Sequence, residues 1–371
     1  MALKDSDLNK WCYKEHMETK HELLIKYLGT WLTVLGSSGF NKLCYFDCFA
    51  GRGEYKDGEK GSPIKSLDTI RHRYKTVSKL SNTKLYCVFI EADPDNYENL
   101  KKTLEKYETD NKAELSKVKI EVVNGKFADE ANKLLDAVKD NLIPSFFFID
   151  PFGWDGIDFK VIKRLLAIKR CEVFINFMTE QVNRFFEDDK LKGSINSLFG
   201  CDDCVEQINL LVKNERLTRE AALLKFYRNQ LMNLAGVKYT FAFRVFDDDR
   251  CKCKYNLIHA TNNIRGAEIM KEIMANEGTK DRFAYLGPAQ GQSTLDDFTR
   301  IDTLKTFLVK KYSGKQIRMA TIIDENFNES PYVTKHYHQA LKQLLEQKKV
   351  NIAPLGKRGG FTPDAIIDFL A

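Results

Sequence analysis

Two aspartates that close apolar runs are the residues of this chain best placed to do chemistry. Asp47 ends the run from Leu43 and leads into Cys48, Phe49, Ala50, Gly51, Arg52 and Gly53; Asp150 ends the run from Ser145 and leads into Pro151, Phe152, Gly153 and Trp154. The small residues after Asp47 let the backbone approach a bound ligand, and the carboxylate accepts hydrogen bonds from an ammonium or a hydroxyl. A phosphate would be poorly served by that carboxylate, and the full GxGxxG of dinucleotide sites is missing. A cationic amino-acid moiety, such as the methionine part of S-adenosyl-L-methionine (AdoMet), suits it better. Glu91, at the end of the next apolar run, is placed to take both hydroxyls of an adenosine ribose, and Asn124, at the end of a third, to flank the adenine. Candidate cofactor contacts are therefore Asp47, Ala50, Gly51, Gly53, Glu91 and Asn124. An ordinary strand-to-helix turn remains the other reading of the first loop.

The second turn, Asp150-Pro151-Phe152-Gly153, matches in part the Asp/Asn/Ser-Pro-Pro-aromatic turn of amino-methyltransferases that act on bases. In that turn the carboxylate and a main-chain carbonyl accept hydrogen bonds from an exocyclic amine, and the aromatic ring stacks on the base. Here Phe152 stands at the second proline position and Gly153 at the aromatic one. Asp150, Pro151 and Phe152 are the candidate catalytic residues, with orientation supplying most of the rate. Phe152 or Trp154 is the candidate stacking ring. Arg184 either reaches the same crevice as a substrate contact or is a solvated helix charge.

For the two turns to share a crevice, their strands must end on the same side of one sheet. The hydrophobic pattern predicts this: a helix over 16–35, then strands 43–48, 84–91, 119–124, 145–150 and 172–177 alternating with helices 62–74, 95–107, 128–139 and 158–168. Ser62 before Pro63 is a helix-start signal, with the Ser hydroxyl as the expected cap. Strands alternating with helices indicate a doubly wound parallel sheet. The rhythm breaks after Phe177: residues 180–235 read as a helical insertion, and strands 239–246 and 253–260 are joined by a short acidic turn that allows only an antiparallel pair. Parallel strands closed by an antiparallel hairpin are the ordering of AdoMet-dependent methyltransferases, whereas NAD-binding Rossmann domains keep all strands parallel. The expected fold is thus α/β, a Rossmann-like class I methyltransferase sheet over 1–286. A loop-forming linker over 287–300 follows. Three helices and a hairpin over 301–371 describe a winged helix-turn-helix, in which Lys335 and His336 on the long helix and Lys357 and Arg358 in the wing could meet phosphates or bases.

Composition bounds the rest. With 371 residues, 43% hydrophobic and 12% aromatic, the chain is globular and long enough for roughly two to three domains. A net charge of +6 permits a nucleic-acid partner without demanding one. The start has no apolar core of signal-peptide type and no segment approaches the apolar length of a membrane span, so a cytoplasmic protein with no membrane partner is expected. The nine cysteines include Cys201-x-x-Cys204 and Cys251-x-Cys253, the thiol count of a zinc site. The second spacing is unusual and would aim both thiols the same way from a strand. Four unrelated thiols and no metal are the reading adopted.

The order FAGRGEY, Gly61-Ser62-Pro63, FFFIDPFGW and then the INFM and NRF segments resembles the three-Cys-motif partner proteins (TcmP) over most of the chain. The resemblance implies a class I AdoMet fold with a C-terminal winged helix, association with a separate radical-AdoMet-like protein bearing three cysteines, and a role tied to mobile elements or phage defence. By position it carries over Asp47, Gly51, Gly53 and Glu91 as cofactor contacts and Asp150 to Phe152 as the catalytic turn. The expected function is AdoMet-dependent methylation of a base or other amine of DNA or RNA. The alternative is a non-catalytic nucleic-acid-binding or regulatory protein that retains the fold.

Overall fold

The computed structural model describes residues 15–55, 58–154, 156–246, 253–277, 283–286, 301–328, 330, 332–355 and 361–370. The chain divides into two compact units, Met1–Ile273 and Met274–Ala371. In the first, helix α1 (Glu15–Ser37) precedes alternating β1 (Lys42–Asp47), α2 (Ser62–Thr76), β2 (Lys84–Glu91), α3 (Pro94–Asp110), β3 (Val118–Asn124), α4 (Phe127–Ala137), β4 (Ser145–Ile149), α5 (Phe159–Ala167) and β5 (Cys171–Phe177). Four helices fill the insertion: α6 (Thr179–Phe185), α7 (Lys192–Phe199), α8 (Cys204–Glu215) and α9 (Arg219–Asn233). Strands β6 (Tyr239–Phe246) and β7 (Cys253–Thr261) form the expected hairpin, and α10 (Ile264–Glu277) follows, its first turn capped by the Asn263 carboxamide.

These strands lie in the order β3-β2-β1-β4-β5-β7-β6. Five run parallel, and β7 is antiparallel to both β5 and β6. Central β4 and β5 are buried at every residue and edge strand β3 at only one, as expected where helices cover both faces of a parallel sheet. Phe46 and Phe147 stack across β1 and β4 with ring centroids 4.2 Å apart.

Helix α1 docks through Leu23, Leu24, Tyr27, Leu28 and Trp31, all buried, with the Tyr27 ring 5.0 Å from that of Phe146. Its polar tie to the sheet is the Tyr27 hydroxyl, which donates to Glu172, while His259 Nε2 lies 3.3 Å from the same carboxylate. Helix α2 begins at Ser62 as expected, but its cap is Gly61, not the Ser62 hydroxyl. Buried Ser62 is instead close enough to Asp47 to act on its charge.

The second unit holds the short strand β8 (Phe283–Leu286), then α11 (Ile301–Tyr312), β9 (Gln316–Arg318), α12 (Met319–Phe327), α13 (Thr334–Glu346), β10 (Val350–Leu355) and β11 (Phe361–Phe369). A three-stranded sheet in the order β10-β11-β9 backs the helices, whose buried residues include Leu304, Leu308, Ile322, Phe327, Tyr337 and Leu341. Asn326 ties α12 to α11 by donating to the Tyr312 hydroxyl at 2.7 Å. Helix α10 and strand β8 were not expected from the sequence. The second is only four residues long. Among the described residues no helix is long and apolar enough to cross a membrane.

Candidate functional site

The end of β1 is laced to the end of β2. Ala50 N–H donates to Ile90 O at 2.9 Å and Gly51 N–H to Glu91 Oε2 at 2.8 Å, so the loop after Asp47 lies against the second strand end. Gly51 and Gly53 have φ of 64° and 85°, a region that disfavours side chains. Gly61 closes the loop by donating to Gly53 O at 2.8 Å. The other Glu91 oxygen accepts from Asp93 N–H at 2.8 Å, so this carboxylate organises the loop and the entrance to α3 together. Asn124 faces Glu91 in the β2–β3 register, and its carboxamide donates to Glu91 O at 3.0 Å.

Asp47 is fully buried, and neither carboxylate oxygen has a hydrogen bond of normal geometry. Burial pushes its pKa from 3.8 up to about 7, and the charge of Asp150 adds to the rise; the nearby Ser62 hydroxyl, Phe49 amide and Lys20 ammonium pull the other way. A buried carboxylate without well-formed hydrogen bonds is costly, and a ligand that supplies a donor lowers that cost. The ammonium of an amino-acid moiety fits that need, so the residues present suit AdoMet.

Asp150 stands just past β4, the neighbour of β1. Lys20, on the first turns of α1, forms an ion pair with its Oδ2, and Asn176, near the end of β5, donates Nδ2 to its Oδ1 at 2.6 Å. Next to Lys20, burial holds the His21 imidazole well below its ordinary 6.5, with Lys20 and Lys65 adding to the effect. Neither Lys20 nor Asn176 stood out in the sequence. Asn176 was the findable one, as a polar residue inside the apolar strand CEVFINF; Lys20 is one charge among many on a helix.

The other expected contacts separate. Phe152 is 57% exposed, whereas Trp154 is 7% exposed, so of the two rings it is Phe152 that faces solvent. Arg184 is exposed on α6, its guanidinium 5.3 Å from the centre of the Phe185 ring. In the second unit, Lys335 is exposed near the start of α13, and His336 accepts the Val333 N–H on Nδ1 at 3.2 Å, which gives it a helix-capping role. Lys357 and Arg358 lie outside the described residues, as does Cys251. Cys204 donates to Asn196 Oδ1 at 3.3 Å, and Cys253 is buried.

A family profile described as a GMT-like wHTH domain matches residues 286–355. The fold is that of Rossmann-like methyltransferases. That assignment rests on the strand order and the antiparallel β7, with a winged helix-turn-helix following in the second unit. Solved structures similar to the chain include a Staphylococcus aureus protein named for caffeoyl-CoA O-methyltransferase activity, at 13% identity and TM-score 0.31 over 69% of this chain and 88% of that one. They include the human methyltransferase 10 domain containing protein, at 15% identity and TM-score 0.29 over 65% and 82%. Loganic acid methyltransferase with SAH covers 97% and 98% at 6% identity and TM-score 0.26. No curated protein sequence matches the chain.

Proposed function

We propose that the protein is an AdoMet-dependent methyltransferase acting on a base or another amine of DNA or RNA. The observation that carries this reading is the pairing of two aspartates at neighbouring strand ends: Asp47, fully buried with neither oxygen in a hydrogen bond of normal geometry, and Asp150, held beside it with an exposed aromatic ring two residues on. AdoMet supplies an electrophilic methyl group. Asp47 accepts its ammonium, the Ala50 to Gly53 backbone lines it, Glu91 takes the ribose hydroxyls, and Asn124 flanks the adenine. Asp150 accepts an N–H of the methyl acceptor and orients its lone pair, with Phe152 stacking on the acceptor ring. A duplex base would have to be flipped out to reach it. Arg184, Lys335, His336, Lys357 and Arg358 are proposed polymer contacts. The resemblance to three-Cys-motif partners supports a separate cysteine-bearing protein as the physical partner, which co-purification from cells expressing both would test.

Calorimetry with S-adenosylhomocysteine, followed by mass spectrometry of nucleosides from cells with and without the gene, tests the reading. Binding together with one methylated nucleoside that disappears in Asp150→Ala is the expected result; unchanged methylation in that variant removes Asp150 from catalysis. The Lys20 ion pair on Asp150 favours, as a second reading, a regulator that binds AdoMet and nucleic acid without transfer. Binding with no methylated product in vitro or in cells would be its signature.

A further inference from the structure

We propose that Lys20 and Asn176 set the charge of the methyl-acceptor position, so that it takes a neutral N–H donor, the exocyclic amine of a base, and rejects an amine that is already a cation, such as a lysine side chain. The inference rests on the methyltransferase reading above. Both oxygens of Asp150 are engaged, Oδ2 by the Lys20 ammonium and Oδ1 by the Asn176 carboxamide. The Lys20 and Asp150 side chains are only 8% and 12% exposed, so their charges are little screened by water. A carboxylate demands a donor, which turns Nδ2 of Asn176 toward it and leaves Oδ1 as a free acceptor. That oxygen is buried without a donor, on a residue 3% exposed. An acceptor amine that offers one N–H to Asp150 and one to Asn176 satisfies both.

Charge counting separates the substrate classes. Asp47 lies close enough to Asp150 and Lys20 for their charges to act on it, so these two carboxylates and one ammonium form a cluster where the methyl-transfer end of the cofactor is placed, apart from Glu91 at the ribose. The Tyr255 ring, its centre 6.0 Å from Lys20 Nζ, adds a further attraction for that ammonium. The cofactor carries a sulfonium, an ammonium and a carboxylate, one positive charge net, which balances the set. A neutral amine keeps the balance. A lysine ammonium would enter next to Lys20 as an uncompensated charge taken out of water, the costly case.

The test reads this charge without needing the substrate. Sinefungin places an extra ammonium where the cofactor carries its methyl group, and S-adenosylhomocysteine places none; calorimetry on the full chain gives the ratio of their affinities. The wild type is expected to bind the two within about threefold, because Lys20 already compensates Asp150. Lys20→Met is expected to raise the preference for sinefungin about tenfold or more, and adding Asp150→Asn to return it to the wild-type ratio. Lys20→Gln removes the charge while keeping a donor for Asp150, and serves should the Met variant not fold. A ratio unchanged in either Lys20 variant, with both ligands bound, overturns the role of Lys20 alone. Failure of both ligands to bind the wild type overturns the methyltransferase reading and this inference with it. Transfer of label from AdoMet to poly-L-lysine in preference to single-stranded DNA or RNA would also overturn it.

Discussion

If Asp47 takes the cofactor's ammonium as proposed, cofactor affinity depends on pH. With its pKa near 7 in the free protein and an ammonium waiting to be bound, Asp47 must be ionised to act. The fraction ionised is roughly one tenth at pH 6 and nine tenths at pH 8, so affinity for S-adenosylhomocysteine should rise about ninefold across that range, with a proton released on binding. Calorimetry at the two pH values checks this, and Asp47→Asn should flatten the dependence while weakening binding. Stability follows the opposite course. The folded pKa is raised above the ordinary 3.8, so the folded state holds a proton that the unfolded state has lost, and stability falls as pH rises from about 4 to 7. Asp47→Asn should therefore stabilise the protein at pH 8 and do so much less at pH 4, by an amount on the order of 2 to 4 kcal/mol at the higher pH. Chemical denaturation at both pH values measures it.

At the level of elements, helix α1 and the loop between β1 and α2 carry the residues of the proposed site. Glu172 accepts from Tyr27 and lies against His259, so Glu172→Ala should strand a buried hydroxyl, loosen α1 and cost roughly 1 to 3 kcal/mol. Thermal melting reads the loss. Because α1 also carries Lys20, the same variant should weaken the acceptor site at a distance. The loop is equally tight: a Cβ on Gly61 would sit 2.8 Å from the Gly53 carbonyl oxygen, and backbone rather than a flexible side chain would have to move. Gly61→Ala should therefore displace the Ala50 to Gly53 turn. Calorimetry should show weaker S-adenosylhomocysteine binding, with a stability loss of about 1 to 3 kcal/mol.

At the scale of the whole molecule, 58 basic and 52 acidic residues leave too small a surplus for strong binding to any polyanion without clustering. The winged helix-turn-helix is where clustering is proposed, through Lys335, Lys357 and Arg358. If each meets one phosphate, Lys335→Ala should weaken binding of a single-stranded oligonucleotide by a similar factor whatever its sequence. It should also lower the slope of log affinity against log salt by about 0.7. Fluorescence anisotropy at three salt concentrations would give both numbers. A change confined to one sequence would instead place Lys335 against a base.

Apart from α10 and β8, the order of elements was legible in the sequence, because apolar periodicity and the carboxylates at strand ends are local signals. Most strands, Lys84–Glu91 among them, begin and end within a residue of their observed bounds, and the antiparallel hairpin was readable from its short connection. The sequence also singled out Asp47, Glu91 and Asp150, since a carboxylate ending an apolar run is conspicuous without any alignment. Tertiary structure alone decided what these carboxylates meet. Lys20 and Asp150 are far apart in the chain, as are Asn176 and Asp150, and no pattern along a helix or strand encodes such a meeting. The choice between Phe152 and Trp154 likewise depended on packing, because two aromatic rings in one turn look alike until one of them is buried. Periodicity reports which face of an element is apolar. Charge pairing across the crevice depends on where those elements come to rest.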